Sequence, residues 1–281
     1  MPRRPSVSIP TATHTATFRI HAYLNRSVPR IWREFDIPAS ATLWDLHCAL
    51  TDMFGWTDSS LHEFDIPLAV HVDGTQRRLL CDLTFGMPTA ESPCLADWLF
   101  SLADLAALGS PALVVSFPDA FDIELAREFA EPIPTAAWRT FGYKYDFGDS
   151  WYVVLEVKGT SDQAGSLRML GGDRAGPPND FGGIETFNAY IAGEGDTEDR
   201  REWRARIKNV AGKWTPTGWQ PEAVGFSSPL ERLARMLAYD GDDELIPDPK
   251  GTAQERVDRF VRNNLDDIEP IIEDHLDRVT V

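Results

Sequence analysis

His47, His62 and Asp149 are side chains whose types could do acid–base chemistry. An imidazole titrates near neutral pH, and beside a carboxylate it can pass a proton or hold a cation. A helix carrying His47 and a strand carrying His62 could converge on Asp146 or Asp149, which would suit a hydrolase. Each histidine alone also fits a satisfied core or surface position, and His21 and His71 have no partner that the sequence identifies.

Asp146-Phe-Gly-Asp149 contains the Asp-Phe-Gly string of protein kinases. No Gly-rich loop, strand lysine or His-Arg-Asp loop precedes it, so that chemistry is excluded. In a turn, both aspartates would accept backbone N–H bonds, with Gly148 at positive φ. As a ligand site, Asp146, Asp149 and Trp151 would face Arg174 and Asp180 from the loop Gly171–Gly183 across a groove. That loop resembles a phosphate cradle only superficially. It lacks the Gly-Lys-Ser/Thr ending, and its prolines remove backbone donors. Arg174 could pair with Asp180 or with an outside anion.

A third cluster is basic: Arg201, Arg204 and Lys208, with Arg200, Arg206 and Lys213 and interleaved Trp203, Trp214 and Trp219. Arginines among aromatics can stack on bases and neutralise phosphate. Glu194, Asp196, Glu198, Asp199 and Glu202 lie beside them, the pattern of a solvated mixed-charge helix. The chain's formal charge of −17 disfavours attraction to a phosphate backbone. Cys48, Cys81 and Cys94 are widely spaced, form no CxxC and are expected to be free thiols, Cys48 as a small core hydrophobe.

The elements that must position these groups follow from periodicity. Residues 1–13 are rich in Pro, Ser and Thr and are expected to be mobile. Phe18, Ile20, Ala22 and Leu24 alternate with polar partners, and Ile31, Arg33, Phe35 and Ile37 share one side of the next segment, so two strands form a hairpin. Thr42 caps a helix with Leu43, Leu46, Leu50 and Met53 on one stripe, and Gly55 stops it. A strand at 61–66 follows, a β-grasp-like start. Two strands, 138–145 and 151–158, flank the Asp146–Asp149 turn as a second hairpin. Between them, 75–135 is a long insert with a helix at 95–108 and a strand at 112–117. Helices are expected over 184–191, 200–210, 230–238 and 254–279. The fold class is therefore α+β, with a mixed sheet built from two hairpins, a helix across one face and a helical C-terminal appendage. The domain spans 14–238, and 239–281 is an acidic extension whose stripe Val257, Phe260, Val261, Leu265 and Ile268 should dock on something apolar.

Five segments in order carry a resemblance: Arg30-Ile-Trp-Arg33; Thr42–His47 with Gly55-Trp56 and Leu61–Phe64; Tyr143–Trp151; Gly172–Gly183; and Gln220–Ala223 with Leu230. Together they resemble the family named after open reading frame three of an Agrobacterium Ri plasmid. The resemblance implies an α+β domain common in bacterial genomes and on mobile elements, and some relatives carry a resolvase or insertion-sequence passenger-protein label. Relatives place His or Cys where this chain has Val153, Gly176 and Phe181. If relatives use those donors for a metal, this chain has lost it, so neither metal nor cofactor is expected.

The preferred expectation is a non-catalytic binding or accessory protein for a small ligand or protein partner. A mobile-element DNA-binding accessory protein and a His/Asp hydrolase are the alternatives. No secretory signal or apolar run long enough to span a bilayer is seen, so the cytoplasm is the expected location and membrane partners are excluded.

Overall fold

The computed structural model describes residues 6–8, 17–57, 59–72, 75–81, 114–116, 130–132, 140–161, 165–210, 214–236 and 251–256. The elements are β1 (Ser6–Ser8), β2 (Thr17–Leu24), β3 (Trp32–Pro38), α1 (Leu43–Phe54), β4 (His62–Val72), β5 (Thr75–Cys81), β6 (Val114–Ser116) and β7 (Ala130–Pro132). They continue with β8 (Thr140–Tyr145), β9 (Trp151–Ser161), β10 (Arg168–Asp173), α2 (Gly183–Ala192), α3 (Thr197–Val210) and α4 (Pro229–Met236). The fold class is α+β.

The main sheet has the order β10-β3-β2-β9-β8-β4 and continues through β5 to β7, while β1 pairs separately with β6. Every ladder is antiparallel, which corrects the expected mixed sheet. The physical reason lies in the connections. Parallel neighbours need a crossover, and the one supplied by α1 carries the chain away from β3 to place β4 beside β8.

The two expected strand pairs form, β2 with β3 and β8 with β9. Four other pairings, β4–β5, β5–β7, β10–β3 and β1–β6, were not anticipated. β4 runs on to Val72 and turns back into β5, so the segment taken as an insert extends the sheet. β10 occupies the start of the expected Gly/Pro loop and pairs with β3. Residues 6–8, expected to be mobile, form the β1 ladder with 114–116. The expected helices over 95–108 and 254–279 fall outside the described residues, apart from the turn at 253–256.

Alternation sorts the sheet's side chains onto two faces. Ile20, Ala22, Leu24, Phe35, Ile37, Val153 and Leu155 are buried together with Leu43, Leu46, Leu50 and Met53 of α1. Apart from Ala22, each of these side chains contributes about 1.5–3 kcal/mol of transfer free energy. A second cluster on the far side of α1 joins Trp44 and Cys48 to Leu233 and Ala234 of α4 and to Ala253. α1 is thus covered on both sides, and ten of its twelve residues are buried.

α1 begins as its sequence dictates. Thr42 accepts from the Asp45 backbone N–H while the Asp45 carboxylate accepts from the Thr42 N–H, a reciprocal capping box. Gly55, at φ 76°, ends it by returning its N–H to Thr51 O.

Candidate functional site

The histidines predicted to converge do meet. The His47 and His62 rings stack with centroids 3.7 Å apart at 18°, and both residues are fully buried. Trp44 lies against both rings, 5.0 Å from His47 and 6.2 Å from His62, the Tyr143 hydroxyl lies 2.8 Å from His47 Nδ1, and Phe64 meets His62 edge-on. The pair is thus buried in a largely aromatic surround, with the Tyr143 hydroxyl as a polar neighbour. Among the described residues no group of three His, Cys, Asp or Glu side chains is arranged to hold a metal.

Asp149 lies in the turn between β8 and β9. Both its carboxylate oxygens accept from the Gly182 backbone N–H, at 3.0 and 3.1 Å, fastening this turn to the start of α2. Burial pushes its carboxyl above the ordinary carboxylate value, offset in part by backbone N–H bonds from Gly182, Phe181 and Gly183. Asp146 accepts from the backbone N–H of Gly148 and Asp149. The expected positive φ at Gly148 is not observed: Asp146 (φ 58°) and Ser150 (φ 52°) hold the left-handed conformation. An aspartate tolerates that region when its carboxylate bonds the following N–H groups, so Asp146 takes the strained position itself.

Trp151 is fully buried and meets Phe187 edge-on. Arg174 (φ 68°) has its Nε 3.6 Å from Asp173, and Asp180 (φ 55°) gives its carbonyl to Arg206. Asp146 and Asp149 therefore share one turn with Trp151 behind them, whereas Arg174 is directed at Asp173. The two Asp/Gly-rich loops touch through Asp149 and Gly182. Val153 and Phe181 are buried in the core, and at Gly176 a Cβ would collide with Phe54 O, so no side chain fits there without movement.

Arg201, Arg204 and Lys208 are exposed on α3. Arg201 faces Glu198 at 3.8 Å, and its neighbour Arg206 is bound to Glu202 at 2.7 Å. The interleaved tryptophans turn inward: Trp203 packs on Tyr190, and Trp214 on Phe187 and Tyr190.

The sequence reading missed a buried charge that lies behind two cleft-lining rings, Phe54 and Trp219. Arg33 is fully buried, with its guanidinium between the rings of Trp219 (3.9 Å) and Phe54 (4.8 Å). Its Nε donates to Met53 O at the carboxyl end of α1, and Nη1 donates to Trp32 O and Asp173 O. Burial pushes its pKa down to about 9, opposed by the Asp173 charge. The signal was an arginine on the apolar side of an alternating strand.

Beside it lies a cleft of about 300 Å³. One wall is Phe54, Gly55 and Thr57, the floor is 175–179, and the other wall is Trp214, Thr215, Gly218 and Trp219. Three indole N–H groups hold these pieces together: Trp56 to Pro177 O, Trp214 to Gly176 O, and Trp219 to Met53 O. Asn179 adds a two-way link to Thr57. With the indole donors committed and the Thr57 hydroxyl bonded to Asn179 and Ser59, the tryptophan walls offer ring surface, and a hydroxyl comes from Thr215.

No helix among the described residues is long and apolar enough to cross a membrane. No curated protein matches the chain. A solved protein of unknown function from Methanosarcina mazei Go1 is similar to it at 19% identity and a TM-score of 0.48, over 75% of this chain and 98% of that one. Residues 16–227 match the model of the plasmid pRiA4b ORF-3-like proteins, and with most of its length inside that match the chain belongs to this family.

Proposed function

We propose that the chain is a non-catalytic binding protein whose site is the cleft between the end of α1, residues 175–179 and residues 214–219. The observation that carries this is the set of tryptophan walls. Trp214 and Trp219 are only partly buried, yet their N–H groups are bonded within the protein. Such a cleft recognises shape and apolar ring surface more than hydrogen-bonding pattern. The groove expected between the two Asp/Gly-rich loops is thereby moved to the other flank of the second loop. The hydrolase alternative has less support, because its histidines are packed against each other and Asp149 serves Gly182.

Native mass spectrometry of the full chain isolated from cells tests the proposal. The expected result is a small molecule retained by the wild type and lost in Ala175→Trp, which fills the cleft. A ligand equally retained by that variant sinks the reading. A hydrolytic activity lost in His47→Ala at unchanged melting temperature would replace it with the enzyme alternative.

A further inference from the structure

A second cleft, of about 310 Å³, opens on the opposite flank of α1, lined by Ile37, Ala41, Cys48, Ala49, Leu167 and Phe226 among others. Its acids are already occupied. Asp45 completes the α1 capping box, and Asp52 binds Arg232 at 2.7 Å and both Ser227 donors. What remains for an occupant is apolar wall.

Cys48 belongs both to this cleft and to the cluster that seats Ala253. Around Ala253 the chain starts a helix. Thr252 accepts from the Glu255 N–H while the Glu255 carboxylate accepts from the Thr252 N–H, a capping box, and Arg256 then pairs with Glu231 of α4 at 2.9 Å. The first turn is therefore anchored, with its Ala253 side against α1 and α4. In the sequence that follows, Val257, Phe260, Val261, Leu265 and Ile268 recur at the spacing of an apolar helical stripe.

We propose that the apolar stripe of residues 257–268 is the occupant of this cleft, so that the acidic C-terminal segment is an integral cover of α1. On such a helix Asp266 falls opposite the stripe, toward solvent, whereas Asp258 and Asp267 flank it. A second copy of the chain is the rival occupant.

The test uses the full chain with Cys81→Ser and Cys94→Ser, leaving Cys48 as the only thiol, and measures its labelling rate by a thiol reagent under native conditions. Phe260→Asp and Leu265→Asp are expected to raise the rate about tenfold or more, corresponding to the loss of about 1.4 kcal/mol of protection. Arg259→Ala, off the stripe, should leave it unchanged. Melting curves exclude global unfolding, and deuterium exchange of residues 257–268 gives an independent reading. Unchanged labelling in both stripe variants, or rapid exchange of 257–268 in the wild type, overturns the proposal. A labelling rate that falls with protein concentration assigns the cleft to a second copy and overturns it equally.

Discussion

At the scale of single residues, Arg33 shows how a charge is kept inside a core. It has no carboxylate bonded to it; three carbonyl oxygens and two aromatic faces take that role. Arg33→Met would keep much of the packing and remove the charge, yet it strands Trp32 O and Asp173 O, while Met53 O keeps the Trp219 N–H. The expected loss is about 2–4 kcal/mol in chemical denaturation, since each buried orphan acceptor costs about 1–3 kcal/mol. A stability equal to wild type would mean that water satisfies those carbonyls. Asp149 gives a second prediction. Asp149→Ala should destabilise more than Asp149→Asn, because the amide oxygen still accepts from Gly182. With the native carboxyl held above its ordinary value, the folded state binds the extra proton between the unfolded and folded pKa values. Stability therefore falls as pH rises through that window, and Asp149→Asn should lack this component in melts recorded from about pH 4 upward. The sequence made the turn legible, but not which residue holds the strain. It assigned positive φ to the glycine because glycine is the default, whereas the acid's own hydrogen bonds moved it to Asp146.

At the scale of elements, α1 was the most legible part of the chain, because its cap, stripe and stop are all local signals. Thr42→Ala should cost about 1 kcal/mol by leaving the Asp45 N–H without its partner. Gly55→Val should cost about 1–2 kcal/mol from backbone strain alone, since nothing lies within 4 Å of an added Cβ. Thermal melts of the two variants check both values, and a Gly55→Val melt equal to wild type would remove the left-handed stop. Strand pairing was less legible. β10 was hidden in a Gly-rich stretch because Gly171 and Gly172 are poor strand formers; at Gly172 the Trp219 ring and the Trp32 carbonyl crowd the position where a side chain would be, whereas at Gly171 a Cβ would meet Trp32 only at ordinary contact. The β4–β5 hairpin joins neighbouring segments, and its local signal, Asp73-Gly74 between two alternating runs, was passed over in the sequence. The cleft carries no such local signal. Its walls come from 54–57, 175–179 and 214–219, and only the fold brings them together.

At the scale of the whole molecule, charge decides the nucleic-acid alternative. α3 carries five cations and three acids, and two of the cations face acids on the same helix. The uncompensated excess is about two charges, whereas duplex binders contact about 6–10 phosphates, each contributing about −0.9 to the salt slope. A chain of formal charge −17 adds long-range repulsion that low salt would strengthen. Of the interleaved tryptophans, Trp203 packs on Tyr190, and the ring surface that Trp214 and Trp219 leave open lines the cleft and not the basic face of α3. Duplex DNA binding at physiological salt is therefore expected to be weaker than about 10⁻⁴ M, the weak limit of ordinary nonspecific affinity. Fluorescence titration of the full chain against random duplex, at several salt concentrations, measures it. Micromolar binding that weakens steeply with salt and disappears in the combined Arg201→Ala, Arg204→Ala and Lys208→Ala variant would show that α3 outweighs the net charge, and would put the DNA-binding accessory role ahead of the cleft.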